Sequence, residues 1–415
     1  MGTTLWDVVV IGAGAAGLLA ASQAAERGRR TLLLEKNRKP GVKILMSGGT
    51  RCNITHATDN RGIVEAFGPP GRFLHSALAA LGVEETIALF ESAGVPTKIE
   101  ETGKVFPVSN KATDVLDALL RRLRASGATL ALQEPVLDMM RTAQGFTLTT
   151  PLGVQSARRV ILTTGGQSYP GSGTTGDGYN FAARFGHTIV PPLPALVPIT
   201  VSAPWVADLR GITLPDVALR VLDNEKSLAS RRSSLLFAHF GLTGPAALDL
   251  SGVISKNPKP QTLELELDLL PALPEATVDD YLRKESIASG KKQLAVVLAE
   301  YLPRRLCDTL LTLAGQPAER RSAALSRLER ARLVQTLKRL RLAITGTLGF
   351  GKAEVTTGGV ALEEVDSRNM RSKRAPELFI AGEMLDLDGP IGGYNFQAAF
   401  STGWLAGAAA AEMPV

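Results

Sequence analysis

Asp7–Glu35 reads DVVVIGAGAAGLLAASQAAERGRRTLLLE, and the order of residue types in it decides the fold. A short apolar run, Val8–Ile11, breaks into Gly12-Ala13-Gly14-Ala15-Ala16-Gly17. It continues in an alanine-rich helical pattern to Gly28 and ends in a second apolar run closed by Glu35. Strand, glycine-rich turn, helix and strand in that order make a βαβ unit whose first turn receives a dinucleotide. Gly12 makes the tight turn, Gly14 lets the backbone approach a pyrophosphate, and Gly17 lets the helix lie close to the sheet. Ala15 and Ala16 open the helix, so the phosphates meet its positive end. Glu35 stands where an acid accepts hydrogen bonds from both ribose hydroxyls and repels a 2′-phosphate, which points to an unphosphorylated adenosine ribose. A lone G-x-G-x-x-G is a weak signal and competes with an ordinary α/β turn. Here it follows a strand, opens a helix and meets its acid at the expected spacing.

Outward from that unit, the chain has 415 residues, 45% of them apolar, enough for two or three domains with sizeable cores. Its 41 glycines and 24 prolines follow no period and mark turns. Two cysteines, Cys52 and Cys307, build no disulfide framework and lie in no metal-ligand spacing, so no metal site is expected and a reducing compartment is. The first strand begins within a few residues of the N-terminus, and no charge-free run approaches the roughly 18 residues of a membrane span. These features predict a cytoplasmic protein without a membrane span. The net charge of +6 is concentrated at Arg121–Arg124, Arg304-Arg305 and Arg320–Arg341. Such clusters read first as solvated helix faces and second as attraction for an anionic partner.

After Glu35, Lys36–Thr55 (KNRKPGVKILMSGGTRCNIT) shows little periodicity and reads as a functional loop. Lys43 and Arg51 could face phosphates there, while Ser47, Gly48, Gly49 and Asn53 could hydrogen-bond the planar part of a cofactor. The alternative is a solvated basic loop. Residues 73–93 and 111–125 read as helices, and Lys98–Val108 as a hairpin. Thr129–Thr164 turns to a period of two in short strands, ending at Gly165-Gly166. Prolines 191, 192, 194 and 198 mark a domain exit. Residues 199–270 are β-rich, with strands expected at Val217–Leu222 and Leu263–Leu269. Within them LFAHFGLTGP carries His239, which by itself reads as a satisfied core histidine before it reads as a catalyst. Residues 277–341 are helical and rich in Leu, Ala and Arg. Leu378–Ala381 is a last short strand, leading into Gly382-Glu383 and a helix from about Tyr394, whose small residues suit close packing on the N-terminal sheet.

Taken in order, six stretches resemble the YhiN-like (BaiN-like) bacterial flavoproteins. They are the dinucleotide fingerprint, Lys43 with SGGTRCN, TTGGQSYPGSGTTGDG, FAHFGLTGP, VTTGGVALEEVD with NMRSK, and AGEMLDLDGPIGGYNFQAAF. They span residues 7 to about 407. Thr50 stands where a third glycine is common, and NMRS replaces the more usual TMES. The resemblance implies an α/β fold in which a Rossmann-like FAD-binding domain of the glutathione-reductase type is interrupted by an inserted β-rich domain and an inserted helical domain. The expected division is 1–190 with 350–415, 191–275 with 341–349, and 276–340. It further implies non-covalent FAD, with Gly12, Gly14, Ala15, Ala16, Gly17, Glu35 and Lys36 around the ADP half and the Val136 backbone at adenine. Lys43, Ser47, Gly48, Gly49, Arg51, Cys52 and Asn53 would line the riboflavin end. Thr164, Gly165, Gly382, Glu383 and Asp386 would lie near the pyrophosphate and ribityl chain, and Gly393, Tyr394, Asn395 and Phe396 beneath the isoalloxazine. His239 and Tyr394 are the catalytic candidates. Cys52 reads as a small packing residue rather than a covalent link.

Two functions follow as expectations. One is an FAD-dependent oxidoreductase passing a hydride between flavin N5 and a small organic substrate or NADH or NADPH. No second G-x-G-x-x-G lies between a strand and a helix, so a nicotinamide would come from the substrate side. The other is a flavoprotein whose basic helical module binds nucleic acid. Arg320–Arg341 favour it, and the lack of base-stacking aromatics in that stretch counts against it.

Overall fold

The computed structural model describes residues 5–288, 290–317, 319–323 and 325–412. They form two compact units, one running to Leu193 and resuming at Glu354, the other spanning Pro194–Ala353.

In the first unit Leu5–Ile11 is an inner strand of a nine-stranded sheet. Thr31–Glu35 and Gly153–Leu162 flank it in parallel, with Thr129–Leu132 beyond the former and Leu378–Ile380 beyond the latter. Val8, Val9 and Val10 are wholly buried, which is why this strand reads as an unbroken apolar run rather than an alternating one. Asp138–Thr142 and Gly145–Thr150 form an antiparallel meander with Gly153–Leu162, and these are the strands that show the period of two.

The C-terminal helix, Tyr394–Glu412, packs against the helix Ala15–Glu26 of the first βαβ unit. A Cβ at Gly403 would lie 2.3 Å from the Ala16 carbonyl oxygen, and one at Gly407 2.2 Å from that of Ala20. The small-residue face was expected against the sheet; its tightest contacts are with this helix. Side-chain size at the contact sets the distance between packed helices, and glycines bring these two backbones together. Residues from both ends of the chain, Val9 and Leu18 with Ile380 and Phe400 among them, share one apolar core.

Two local readings change. The helix expected over 73–93 is interrupted: a 3-10 turn, Pro69–Leu74, precedes His75–Ala80, and a separate helix runs over Val83–Ser92. Gly82 caps the latter, its N–H donating to the Glu85 carboxylate at 3.0 Å. Lys36–Thr55, read as a loop, contains a short helix from Val42 that loses helical geometry at Ser47.

The second unit holds a closed antiparallel barrel of Ile199–Val201, Gly241–Thr243, Lys226–Ala238, Thr213–Asp223, Glu264–Asp268 and Leu340–Thr347. Both expected strands lie in it. Lys226–Ala238 escaped notice because its outer half, KSLASRRSS, is polar and exposed, and only Leu235 and Phe237 turn inward. The helices Glu275–Ala288, Arg304–Leu313 and Arg327–Lys338 share the barrel's core, with Leu282, Leu306, Leu310 and Leu333 in one cluster with Val217, Leu265 and Ile344. Much of the basic stretch is ion-paired: Arg320 with Glu329, Arg330 with Asp279, Lys338 with Asp268, Arg339 with Glu275, and Arg341 with Glu225 and Glu266. Among the described residues no single helix is long and apolar enough to cross a membrane.

Candidate functional site

The glycine turn is closed on one side and open on the other. A Cβ at Gly17 would stand 1.8 Å from the Gly12 carbonyl oxygen, while one at Gly14 would meet no atom within 4 Å. Gly14 precedes the first helical residues, Ala15 and Ala16, so unpaired helix-start N–H groups adjoin that open side. Glu35, buried at the end of its strand, accepts the Ala13 N–H through Oε2 and the Asn37 N–H through Oε1, each at 2.8 Å. A carboxylate has about four acceptor positions, so two remain for ribose hydroxyls. Lys36 is turned to Asp177 and Thr175. Val136 follows Glu134, whose N–H donates to the Glu35 carbonyl at 2.9 Å and carries the loop across the strand end.

More of the expected residues gather at the same edge, beyond the carboxyl ends of the parallel strands, where open α/β sheets bind ligands. The Thr163 N–H donates to the Ile11 carbonyl at 3.0 Å, and the Thr164 hydroxyl lies 3.2 Å from Met384 Sδ. Gly165 follows in the left-handed region. The Gly382 N–H donates to Thr402 Oγ1 at 3.0 Å, and Asp386 accepts the Gly358 N–H at 3.1 Å. Lys43 donates to Glu383 Oε2 at 2.5 Å and to Ser168 Oγ at 2.6 Å. Glu383 Oε1 accepts the Ser168 hydroxyl at 2.8 Å and the Thr356 N–H at 2.9 Å. Four distant segments are thereby tied, and the charge of Lys43 is matched by a carboxylate rather than left for phosphate. Arg51 is matched likewise, by Glu100 at 2.6 Å, with its guanidinium 3.9 Å over the Phe106 ring.

Ser47, Gly48 and Gly49 break the helix from Val42. Gly48, Gly49, Thr50 and Cys52 all have positive φ, a tight curl that ends at Asn53. Cys52 is fully buried, and burial pushes its thiol up to about 12, which removes thiolate chemistry at neutral pH. Asn53 is buried, and its Oδ1 has no hydrogen-bond partner.

The C-terminal helix begins at Tyr394, where the sequence placed it, with Gly393 packed on the Thr55 backbone. Asn395 Oδ1 accepts the Gly389 N–H at 2.9 Å, its Nδ2 donates back to the Gly389 carbonyl, and Phe396 packs near Phe400. The Tyr394 ring stacks on His56, 4.6 Å between centroids at 19°. Nδ1 of His56 lies 3.0 Å from the Gly392 carbonyl, which fixes it as the protonated nitrogen. Burial, aided by Lys104 across the strand pair, lowers the His56 pKa below the ordinary histidine value, against the pull of that hydrogen bond. His56 was missed, although it directly follows RCNIT; Ser168 and Thr356 sat unmarked inside quoted motifs.

In the second unit His239 is exposed at the turn between Lys226–Ala238 and Gly241–Thr243, edge-to-face with Phe240. The core-histidine reading of this residue is corrected: the apolar run folds into a hairpin and presents the imidazole at its tip. It lines a cleft of about 220 Å³ with Val201, Ser202, Pro204 and Val206.

The HI0933-like protein Rossmann domain matches residues 6–409. The chain belongs to the HI0933-like family. The ribosomal RNA dihydrouridine synthase of Escherichia coli is 34% identical over 96% of this chain and 96% of its own. The 3-dehydro-bile acid delta(4,6)-reductase of Clostridium scindens is 31% identical over 98% of this chain and 99% of its own. Among solved structures, a 3-ketosteroid delta1-dehydrogenase from Sterolibacterium denitrificans is similar in fold, with TM-score 0.53 at 13% identity, covering 99% of this chain and all (100%) of that one. A flavocytochrome c3 fumarate reductase has TM-score 0.50 at 16% identity, covering 98% and 78%. The chain is thus an FAD-dependent oxidoreductase of the HI0933-like family, and the open side of Gly14, the free acceptor positions of Glu35 and the buried unpaired Asn53 suit that cofactor.

Proposed function

We propose that this chain reduces a carbon–carbon double bond conjugated to a carbonyl group in a small organic substrate, with NADH or NADPH as the transient reductant. Bound FAD supplies the hydride chemistry at N5. Gly12, Gly14, Ala15, Ala16 and Gly17 receive the pyrophosphate, Glu35 the adenosine ribose and the Val136 backbone the adenine. Thr164, Gly165, Gly382, Glu383 and Asp386 lie along the pyrophosphate and ribityl chain. Lys43, Ser47, Gly48, Gly49, Arg51, Cys52 and Asn53 line the riboflavin end, with Gly393, Tyr394, Asn395 and Phe396 beneath the ring. The N–H groups that open the C-terminal helix stand ready for negative charge developing on the ring's pyrimidine side. The proposed domains are 1–190 with 350–415 for FAD, and 191–275 with 341–349 and 276–340 for access and substrate.

The observation that carries this reading is the His56–Tyr394 stack at the start of that helix. Saturating a conjugated double bond takes a hydride at one carbon and a proton at its neighbour. The Tyr394 phenol is the proton donor in this reading, held by an imidazole that burial keeps neutral. The names of the relatives support it, because making dihydrouridine and reducing a delta(4,6) steroid both add two hydrogens across such a bond.

A second reading takes uridine within ribosomal RNA as the substrate, favoured by two relatives so named, from Escherichia coli and Haemophilus influenzae, at 34% and 33% identity. The ion-paired arginines of Arg320–Arg341 weaken that stretch as the RNA-binding face. One experiment separates the two: reduce the protein with NADPH under argon, then add a small cyclic enone or protein-free ribosomal RNA. Reoxidation by the enone supports the first reading, reoxidation by RNA alone the second, and discharge by neither overturns both.

A further inference from the structure

One imidazole grips both ends of a hairpin. Val365–Asp366 and Arg371–Ser372 pair antiparallel at the outer edge of the nine-stranded sheet. Glu364 immediately precedes the first of these strands, and Ser372 ends the second. His187, just before the strand Ile189–Ala195, reaches both: Nε2 lies 2.7 Å from Ser372 Oγ and Nδ1 3.4 Å from Glu364 Oε2. All three residues are buried. The Ser372 oxygen accepts the Arg374 N–H at 3.0 Å and the Ala375 N–H at 2.8 Å, which fills its two acceptor positions. Its own hydrogen therefore goes to His187 Nε2, and the neutral ring carries its proton on Nδ1, toward the carboxylate. Serine, imidazole and carboxylate in that order also make a nucleophilic triad, but this serine is closed off and its oxygen is spent on two backbone donors, so no substrate reaches it.

We propose that His187, Glu364 and Ser372 form an acid-released latch: a second proton on the imidazole has no acceptor, so acidification frees the hairpin of residues 365–372 while the central strands stay folded. That proton must enter at Nε2, where Ser372 already points its hydrogen and has no lone pair left. Its charge is surplus as well. Glu364 is matched by Arg374 at 2.6 Å and accepts the Thr188 N–H at 2.7 Å and the Thr188 hydroxyl at 3.1 Å. The neighbouring cations are turned away, Lys373 to the Glu363 carbonyl and Arg184 to Asp138. Burial lowers the His187 pKa against the pull of Glu364, and Arg374 adds to the lowering. The hairpin is also strained. Met370, wholly buried in its turn, has φ +62°, a left-handed conformation that persists only while the surroundings impose it. Release would bare the strand Leu378–Ile380, because Arg371 pairs with Phe379 and the Ile380 N–H donates to the Met370 carbonyl at 3.0 Å. That strand runs on to Glu383, so the latch bears on the segment that meets Lys43 and Ser168.

Hydrogen exchange of the whole chain, read peptide by peptide and corrected for the intrinsic pH dependence of exchange, tests the latch. The amides of residues 365–372 and of Ile380 should be less protected than those of Val8, Val9 and Val10 at every pH. Their protection should fall by about tenfold per unit as pH drops below about 6.5, the size of a one-proton linkage. In His187→Gln it should stay within about twofold between about pH 7.5 and 5.5, where Glu364 remains ionised whether the hairpin is closed or open. Equal protection of the two sets overturns the proposal, because the hairpin would then open only with the whole unit. So does hairpin protection that ignores pH in the natural chain, or a fall that persists in the variant. If the variant fails to fold, the nitrogen shifts of isotope-labelled histidine in the natural chain decide. His187 should carry its proton on Nδ1 at neutral pH, and a ring protonated on Nε2 overturns the latch.

Discussion

Gly403 of the C-terminal helix rests on the backbone of Ala16, so closely that a Cβ there would fall 2.3 Å from the Ala16 carbonyl oxygen. Residues nearly the length of the chain apart are joined without a side chain between them. A backbone carbonyl cannot rotate away as a side chain does, so Gly403→Ala should destabilise by about 1–3 kcal/mol, an overpacking cost. Urea melts of the apoprotein check it; an unchanged midpoint would show that the helices separate freely.

Gly14 behaves in the opposite way. Its Cα faces open space, and its φ of −83° is one that any residue adopts. Gly14→Val should fold with near-natural stability and fail to retain FAD, because the side chain fills the approach to the helix start. Far-ultraviolet dichroism together with flavin absorbance separates this from unfolding. Retention of FAD by the variant would move the pyrophosphate elsewhere.

Both thiols are pushed up to about 12 by burial, chiefly through desolvation. Neither should react with an aromatic disulfide reagent at pH 8 until the chain is denatured, and then both should. Acid precipitation should release all the flavin. Yellow colour that stays with the precipitate would indicate a covalent link.

His187 is buried, with Nε2 2.7 Å from Ser372 Oγ, and burial lowers its pKa below the ordinary histidine value. Its neighbour Glu364 is drawn down to about 2 by its hydrogen bond to Arg374, aided by Thr188. Each group binds protons more readily in the unfolded chain, so each contributes stability that disappears on acidification. The His187 share goes as pH falls from about 6.5 through its lowered value, the Glu364 share below the usual carboxylate range, toward about 2. The melting temperature should therefore drop steadily as pH is lowered below neutrality, and His187→Gln should flatten the upper part of that drop. A melting temperature that rises on acidification would contradict both assignments.

Much of this was legible in the sequence, for identifiable reasons. The run Val8–Ile11, the tight turn at Gly12 and the second strand closed by Glu35 answer to local backbone requirements, so strand, turn, helix and strand read in the right order without tertiary information. The start at Tyr394 was legible because Gly392-Gly393 cannot continue a helix pattern. What escaped was relational. Nothing near Lys43 announces Glu383 or Ser168, since that cluster exists only once four segments converge. Nothing near His239 distinguishes a buried apolar run from a hairpin with its tip exposed. The polar strand Lys226–Ala238 draws its conformation from barrel partners on both sides rather than from its own composition.

The most direct measurement is the FAD content of the purified full chain, by absorbance and by titration of the apoprotein. One tightly held, releasable FAD per chain is expected, reduced by NADH or NADPH under argon. A colourless protein that takes up no FAD on incubation, yet folds cooperatively, would contradict it.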